Sequence, residues 1–325
     1  MQRIRLAFSD FPGPTNSDAI LKILSTRYDV HVTDTNPDYV IYSVFGYEYL
    51  QFENVVRIFF TGENVRPDFN LCDYAFSYDW LDFGDRHFRA PNFILYDEWR
   101  DIVVRRSSAL AGIDPCKNFC NFIYSNGDSH PIRDRFFHAL NAVEPVESFG
   151  AHLRNSDREI GEAYLHKWSA RKIIEQKKFK FSISFENSST PGYTTEKLVH
   201  ALCADTIPIY WGDPLVGRVF NPRRFIDMNV LSFEEAILRV MSLHRDDNAY
   251  LDMVNRPFFA NGAAPENLSD RALLAAFEAI FSVPKEKALH RNPHFWGRKY
   301  ESRRRHEIKA ARLIDRLDRL RFWKR

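Results

Sequence analysis

Glycine is scarce in this sequence, thirteen residues in 325, and no two are separated by a single position. A G-x-G-x-x-G dinucleotide fingerprint is therefore absent, as is a G-x-x-x-x-G-K-[ST] phosphate loop. Hydride transfer and P-loop nucleotide hydrolysis are disfavoured on that ground. Neither G-x-S-x-G nor H-E-x-x-H occurs, which weakens hydrolase and zinc-peptidase readings. No Asp stands two positions from another Asp, a pattern that holds Mn²⁺ or Mg²⁺ against a diphosphate in many metal-dependent sugar-nucleotide enzymes. Cysteine is limited to Cys72, Cys116, Cys120 and Cys203. Cys116 and Cys120 have no His or Cys partners at ligand spacing, so reduced structural thiols and a cytoplasmic setting are expected. No apolar run approaches the roughly 18–20 residues that span a bilayer. The opening MQRIRLAFSDFPGPTNSD meets Pro and Asp too early for a secretory signal and reads as a first strand.

Hydrophobic residues at 45% and charged residues at 27% allow both a large core and a solvated surface. Aromatics reach 15%, with 28 Phe, which favours broad packed interfaces or sugar-stacking surfaces. The net charge of +2 is unevenly spread. From Arg291 onward thirteen Lys/Arg face four Asp/Glu, a surplus of nine, so the preceding 290 residues carry about −7.

β-like runs alternate with helical ones, as in parallel sheets with covering helices. Strands are predicted at Arg3–Phe8, Tyr28–Thr33, Tyr39–Phe45 and Val55–Thr61, with a helix over Asp18–Arg27. A second series has strands at Asn118–Tyr124, Lys180–Phe185 and Thr206–Trp211. Its helices are Pro131–Val143, where Pro suits a first turn, and Thr195–Ala204. Helices dominate from Phe233 to Phe281. Two α/β domains meeting near residues 108–117 are expected.

One segment gathers phosphate chemistry. Phe179 to Phe185 alternates Phe and Ile as a strand and ends in Glu186-Asn187-Ser188. A Pro191-Gly192 turn follows, then Tyr193 and a helix opening at Thr194-Thr195-Glu196-Lys197. Strand end, turn and helix N-terminus form the crevice site of open α/β sheets, and the helix dipole favours an anion there. The bland alternative is that Glu196 complements the dipole while Lys197 is a solvated surface charge.

The segment resembles the donor signature of the bacterial α-1,3-fucosyltransferases, FxFxxxFENS followed by YxTEK. Thr206-Ile-Pro-Ile-Tyr-Trp-Gly-Asp-Pro214 and Phe220-Asn-Pro222 are similar to that family too. So are Phe60-Thr-Gly-Glu-Asn64, Asn70-Leu-Cys-Asp-Tyr74 and Leu81-Asp-Phe83. The likeness runs from about residue 55 to 230. It implies a GT-B fold: two Rossmann-like domains facing each other across a cleft, with an acceptor domain at residues 1–112 and a GDP-fucose domain at 113–290. A basic tail at 291–325 carries an amphipathic helix. Position by position, Glu63 matches the family's catalytic base, and Arg133 and Lys197 its diphosphate clamp. Glu196 matches the ribose-binding residue, and Asn187 and Tyr193 match other donor-site positions. Phe60 departs from a tyrosine that can precede Thr-Gly-Glu, residues 157–176 read as an extra helix, and the family's heptad repeats are missing.

The implied reaction is inverting transfer of fucose from GDP-β-L-fucose to the 3-OH of GlcNAc or Glc in a lactosamine- or lactose-type acceptor. A diphosphate leaves as an anion, so one carboxylate base and a cationic clamp suffice; glycosidases need a second carboxyl. No cofactor and no essential metal are expected. The alternatives are a related GT-B transferase for another sugar nucleotide and a catalytically silent glycan- or nucleotide-binding module. In the tail, Ala310, Leu313, Ile314, Leu317, Leu320 and Trp323 share one helical side. That stripe fits packing on the body or peripheral contact with an anionic inner membrane. Too few aromatics interleave its charges for a nucleic-acid platform.

Overall fold

The buried strands carry near-continuous apolar runs, as parallel strands covered on both faces must. In the computed structural model, which describes residues 1–107, 114, 116–158 and 168–322, they form two separate sheets. The chain divides into two compact units. The first comprises Met1–Ser77, Leu81–Ala90 and Asp270–Arg325; the second comprises Tyr78–Trp80 and Pro91–Ser269.

The first unit holds strands β1 (Arg3–Ser9), β2 (Asp29–Val32), β3 (Tyr39–Tyr42), β4 (Val56–Phe60), β5 (Tyr74–Ser77) and β6 (His87–Arg89). All are parallel, in the order β2-β1-β3-β4-β5-β6. The order reverses between β1 and β3. Helix α1 begins at Pro14 and ends at Leu24, four residues earlier than the sequence pattern predicts at its start, because Pro14 itself supplies the first turn. Strands β5 and β6, four and three residues long, escaped sequence reading.

The second unit begins with α2 (Asp97–Arg105), followed by β7 (Asn118–Phe122), α3 (Ile132–Asn141), β8 (Val146–Ser148), α4 (Trp168–Gln176) and β9 (Phe179–Phe185). It continues with α5 (Glu196–Cys203), β10 (Ile207–Trp211), β11 (Ile226–Asp227), α6 (Phe233–Arg245) and α7 (Asp247–Val254). Its parallel order is β11-β10-β9-β7-β8, reversing between β9 and β7. All seven residues of β9 are buried. Phe181, Ile183 and Phe185 join Phe136, Leu140 and Val240 in one core. On the alternate positions, Gln176 of α4 donates to Ser182 Oγ at 2.8 Å. Of the expected extra helix at 157–176, the part from Trp168 is helical; residues 159–167 lie outside the described residues.

The expected boundaries need two corrections. The first unit gives way to the second at residue 90, not 112, because α2 is anchored in the second unit. There Trp99 packs against Phe93, Phe220 and Phe259 and donates Nε1–H to the Leu268 carbonyl at 3.0 Å. The expected junction at 108–117 falls largely outside the described residues. Residues 270–290 belong to the first unit, not the second. Helix α8 (Asp270–Phe281) buries Leu273, Phe277, Ile280 and Phe281, with Phe281 against Tyr28 and Tyr39 and Phe277 stacked on Phe76. Each such side chain contributes about 1.5–3 kcal/mol. An apolar helical stripe does not say which sheet will cover it, so sequence assigned α8 to its neighbours in the chain.

A short helix α9 (Lys285–Ala288) leads to α10 (Phe295–Phe322). The start of the basic tail is fastened to the first unit. Arg291 donates to both carboxylate oxygens of buried Asp73 at 2.9 Å. Glu301 meets the fully buried Arg57 of β4 at 3.0 Å, and Ile308 enters a core with Tyr42, Tyr49 and Phe59. Beyond that point Leu313 and Ile314 are more than half exposed. The packing reading therefore holds for α10 up to Ile308 and fails for the expected stripe at Leu313 and Ile314. The side chains of Leu317, Leu320 and Trp323 lie outside the described residues. Among the described residues no helix is long and apolar enough to cross a membrane.

Candidate active site

In doubly wound sheets, ligands bind beyond the carboxyl ends of the strands where the strand order reverses. In the second unit that point lies between β7 and β9. The chain leaving β7 carries Tyr124 and Asn126, and the chain leaving β9 carries Glu186 to Lys197. Asn187 and Tyr193 lie on the second of these loops, Glu196 and Lys197 open α5 at its end, and Arg133 reaches the first from α3.

Arg133 is 2% exposed. Its Nη2 donates to the Asn126 carbonyl at 2.6 Å, and its guanidinium carbon lies 4.3 Å from the centre of the Tyr124 ring. Nε is buried with no hydrogen-bond acceptor, Asp134 Oδ1 standing 3.7 Å away. Tyr124 spans the two loops: its hydroxyl meets the Ile183 and Phe185 carbonyls at 3.0 and 3.1 Å and accepts from Phe185 N at 2.6 Å. The Tyr124 phenol lies in the fields of both Arg133 and Lys197, although burial, the larger influence, pushes its pKa up. Arg133 thus lies on the Tyr124 ring, and Lys197 lines the same small pocket as Tyr124.

The loop after β9 is held by two carboxylates that sequence reading left without a role. Glu186, fully buried, accepts from Thr195 N at 2.8 Å and from Thr195 Oγ1 at 2.7 Å. Thr195 is the residue before α5 and makes no capping bond of its own, so its hydroxyl is spent on Glu186. Asp213, after β10, accepts from Gly192 N and Leu215 N at 2.7 Å and from the Thr194 hydroxyl at 3.0 Å. Gly192 has φ +90, and a Cβ there would meet the Tyr78 carbonyl oxygen at 2.6 Å. Only glycine fits. Tyr193 is buried, its ring edge-on to Tyr78 at 5.0 Å. Asn187 is half-buried; its carbonyl accepts from His130 N at 2.7 Å and its Oδ1 from Ser188 Oγ at 3.0 Å.

Lys197 donates to Thr195 Oγ1 at 3.0 Å and to Glu186 Oε2 at 3.3 Å, with Glu196 Oε1 at 3.6 Å. Burial alone would lower its pKa, but Glu196 and Glu186 outweigh it and raise the ammonium well above the ordinary lysine value. Burial raises the Glu186 carboxyl, with Lys197 opposing. For Glu196 burial is overcome by Lys197, His200 and Lys172, and its pKa falls to about 2. Lys172 of α4 is 4% exposed, and burial draws its pKa down to about 8. The site thus balances two acids against two lysines. Lys172 carried no sequence signal, because its helix matches no motif.

His200, on the first turns of α5, is fully buried and neither ring nitrogen has a hydrogen-bond partner. Burial, aided by Lys172, pulls its pKa to about 3. The unfolded chain takes that proton near 6.5, so between pH 6.5 and 3 the unfolded state binds more protons and stability falls as pH drops. About 2 kcal/mol is lost from this residue by pH 5. A melting series from pH 7 to 4 should show a steeper fall in Tm for the wild type than for His200→Leu; parallel slopes would count against the assignment.

In the first unit, Glu63 lies three residues past the end of β4. Its backbone N–H donates to Thr61 Oγ1 at 3.0 Å and its carbonyl accepts from Val65 N at 2.8 Å, fixing a tight loop with a half-buried carboxylate. Phe60, where a tyrosine can stand, is fully buried and stacks on Phe11 at 6.5 Å. Cys116 is exposed and Cys120 buried; all four cysteines are free.

Two all-parallel Rossmann-like units, each with polar loops at the carboxyl ends of its strands, make up the GT-B fold. Residues 6–96 match the family described as alpha-(1,3)-fucosyltransferase FucT N-terminal domain, and residues 115–255 match the C-terminal part of glycosyltransferase family 10 (fucosyltransferase). A crystal structure of an alpha1,3-fucosyltransferase with GDP superposes with a TM-score of 0.73 at 30% identity, covering 90% of this chain and 93% of that one. One with GDP-fucose gives 0.71 at 30% identity, covering 87% and 92%. The chain belongs to glycosyltransferase family 10, the fucosyltransferases. The alpha-(1,3)-fucosyltransferase FucT of Helicobacter pylori is 34% identical over 318 aligned positions, covering 85% of this chain. The chain spans 64% of that enzyme's length.

Proposed function

We propose that this protein transfers fucose from GDP-β-L-fucose, with inversion, to the 3-OH of GlcNAc or Glc in a lactosamine- or lactose-type acceptor. The observation that carries the reading is Arg133 lying against the Tyr124 ring, with Lys197 lining the same small pocket as Tyr124, at the switch point of the second sheet. Its support is the likeness to solved fucosyltransferases holding GDP and GDP-fucose. In this reading the second unit takes the donor and the first the acceptor.

Negative charge grows on the departing β-phosphate as the glycosidic bond breaks. Arg133 Nε, buried without an acceptor, supplies a donor that a phosphate oxygen satisfies. Lys197 adds a compact charge. Glu196, held ionised by its lysine neighbours, accepts from the ribose hydroxyls, and Asn187 and Tyr193 complete the donor site. Glu63 takes the proton of the attacking hydroxyl. Because side chains carry the diphosphate, no metal is required. The decisive assay follows GDP release from GDP-fucose in excess EDTA, with and without lactosamine. Acceptor-dependent release with an α-1,3 product is expected. Equal turnover of UDP-sugars, or loss of activity on chelation, overturns the reading.

The part of α10 around the exposed Leu313 and Ile314, which stand among arginines in the sequence, is proposed as a peripheral contact with an anionic inner membrane. Chains ending after Ile308 should float with phosphatidylglycerol liposomes less than the full chain does. Unchanged flotation removes this part of the proposal.

A further inference from the structure

Helix α4 buries the side chains that water would keep. Trp168, Lys172 and Gln176 stand four residues apart and so share one face. Lys172 and Gln176 are the buried residues of the helix, whereas Ile174 is 59% exposed. Burying a lysine and a glutamine costs solvation that apolar side chains in those places would not. The face they form packs toward α5 and lines the small pocket shared by Tyr124, Ser184 and Lys197.

Lys172 is 4% exposed, and its ammonium makes no hydrogen bond and no ion pair with a described residue. It lies 5.1 Å from the centre of the Trp168 ring, and Gln176 Oε1, in the same pocket, is buried without a donor. A buried cation held this way needs opposite charge nearby. Glu196 of α5 is the strongest charge facing it; Lys197 opposes, and Glu186 and Glu98 act with Glu196. Lys197 stands between two of the same acids, 3.3 Å from Glu186 and 3.6 Å from Glu196. With Lys197 alone against them, the two carboxylates would leave this part of the site net negative, which repels a diphosphate. With Lys172 present the four charges balance, and Arg133 adds a positive surplus.

Resting on the proposed transferase reading, we infer that Lys172 is a positioning residue of the donor site. From α4 its ammonium offsets Glu196 and Glu186, which leaves the Lys197 charge available to the diphosphate.

The role has a signature that packing lacks. Burial draws the Lys172 pKa down to about 8, against the pull of Glu196. Around it Glu196 lies at about 2 and His200 at about 3. Glu196 and Glu186 hold Lys197 up against burial, and burial holds Tyr124 up. Lys172 is therefore the cation of this cluster that is charged at pH 7 and neutral by about pH 9.5.

The experiment measures kcat/KM for GDP-fucose and, by calorimetry, GDP affinity at both pH values. Wild type, Lys172→Met and Lys172→Arg are compared. At pH 7 Lys172→Met should lie about 10-fold below wild type in kcat/KM, the effect of one partly screened charge. At pH 9.5 the wild type has lost that charge too, and the gap should close to within about 2-fold. Lys172→Arg does not titrate in this range; it should recover most of the loss at pH 7 and exceed wild type at pH 9.5. Comparing variants at one pH cancels any titration of the nucleotide. GDP affinity should show the same closing gap, and wild type against Lys172→Met reads it even if Lys172→Arg misfolds. Equal values for wild type and Lys172→Met at pH 7, or a gap of the same size at both pH values, overturns the inference. A wild type that binds GDP with the closing gap yet transfers no fucose overturns the transferase reading and leaves the role of Lys172 standing.

Discussion

Glu63→Gln should lower kcat for transfer by about 10²–10⁴ while leaving GDP affinity close to wild type. The amide keeps the shape of the side chain and removes only its capacity to take a proton. Two backbone bonds of the loop, from the Glu63 N–H to the Thr61 hydroxyl and from Val65 N–H to the Glu63 carbonyl, survive the change. Titration calorimetry with GDP separates the outcomes: wild-type affinity with collapsed turnover is the signature of a lost base. Undiminished transfer by Glu63→Gln would remove the mechanism even though family membership stands.

The clamp should show the second large effect. Arg133→Lys keeps the charge and loses the fork, and Lys197→Met loses the charge. Each should reduce kcat/KM by about 10²–10³, because these donors face charge that develops as GDP departs. Lys197→Met needs a control. Its ammonium stands 3.3 Å from the fully buried Glu186, and removing one partner of a buried pair destabilises by about 3–5 kcal/mol. The double variant Lys197→Met, Glu186→Gln relieves that burden without restoring the cation. If its melting temperature recovers and its activity does not, Lys197 acts on the substrate. Recovery of both would make the lysine a structural counter-ion and refute the clamp.

Both sheets were legible in sequence wherever strands are long. β1, β9 and β10 carry runs of five to seven residues, and the donor loop announced itself through Glu186-Asn187-Ser188 and Thr195-Glu196-Lys197. The hidden parts share a physical cause. Strands β8 and β11, at two or three residues, exist because a neighbouring strand offers them hydrogen bonds, a fact no local window contains. Lys172 reaches the site through tertiary packing from a helix that reads as ordinary. Asp213 stood in plain view within Trp-Gly-Asp-Pro, but its work is done nineteen to twenty-one residues away, on Thr194 and Gly192. Family resemblance alone supplied the roles of Glu63 and Arg133.

The return of α8 and α10 to the first sheet has a consequence for how the polypeptide matures. On the ribosome an N-terminal domain ordinarily closes before later ones emerge. Here the opening sheet is left with bare aromatic surface at Tyr39 and Phe76, and with a buried arginine lacking its acid, until the closing stretch from Asp270 has been made. The middle unit can close first, and the beginning of the chain must wait for its end. A nascent chain stalled at Ser269 would carry a settled second unit and an unfinished first one, a natural target for chaperones.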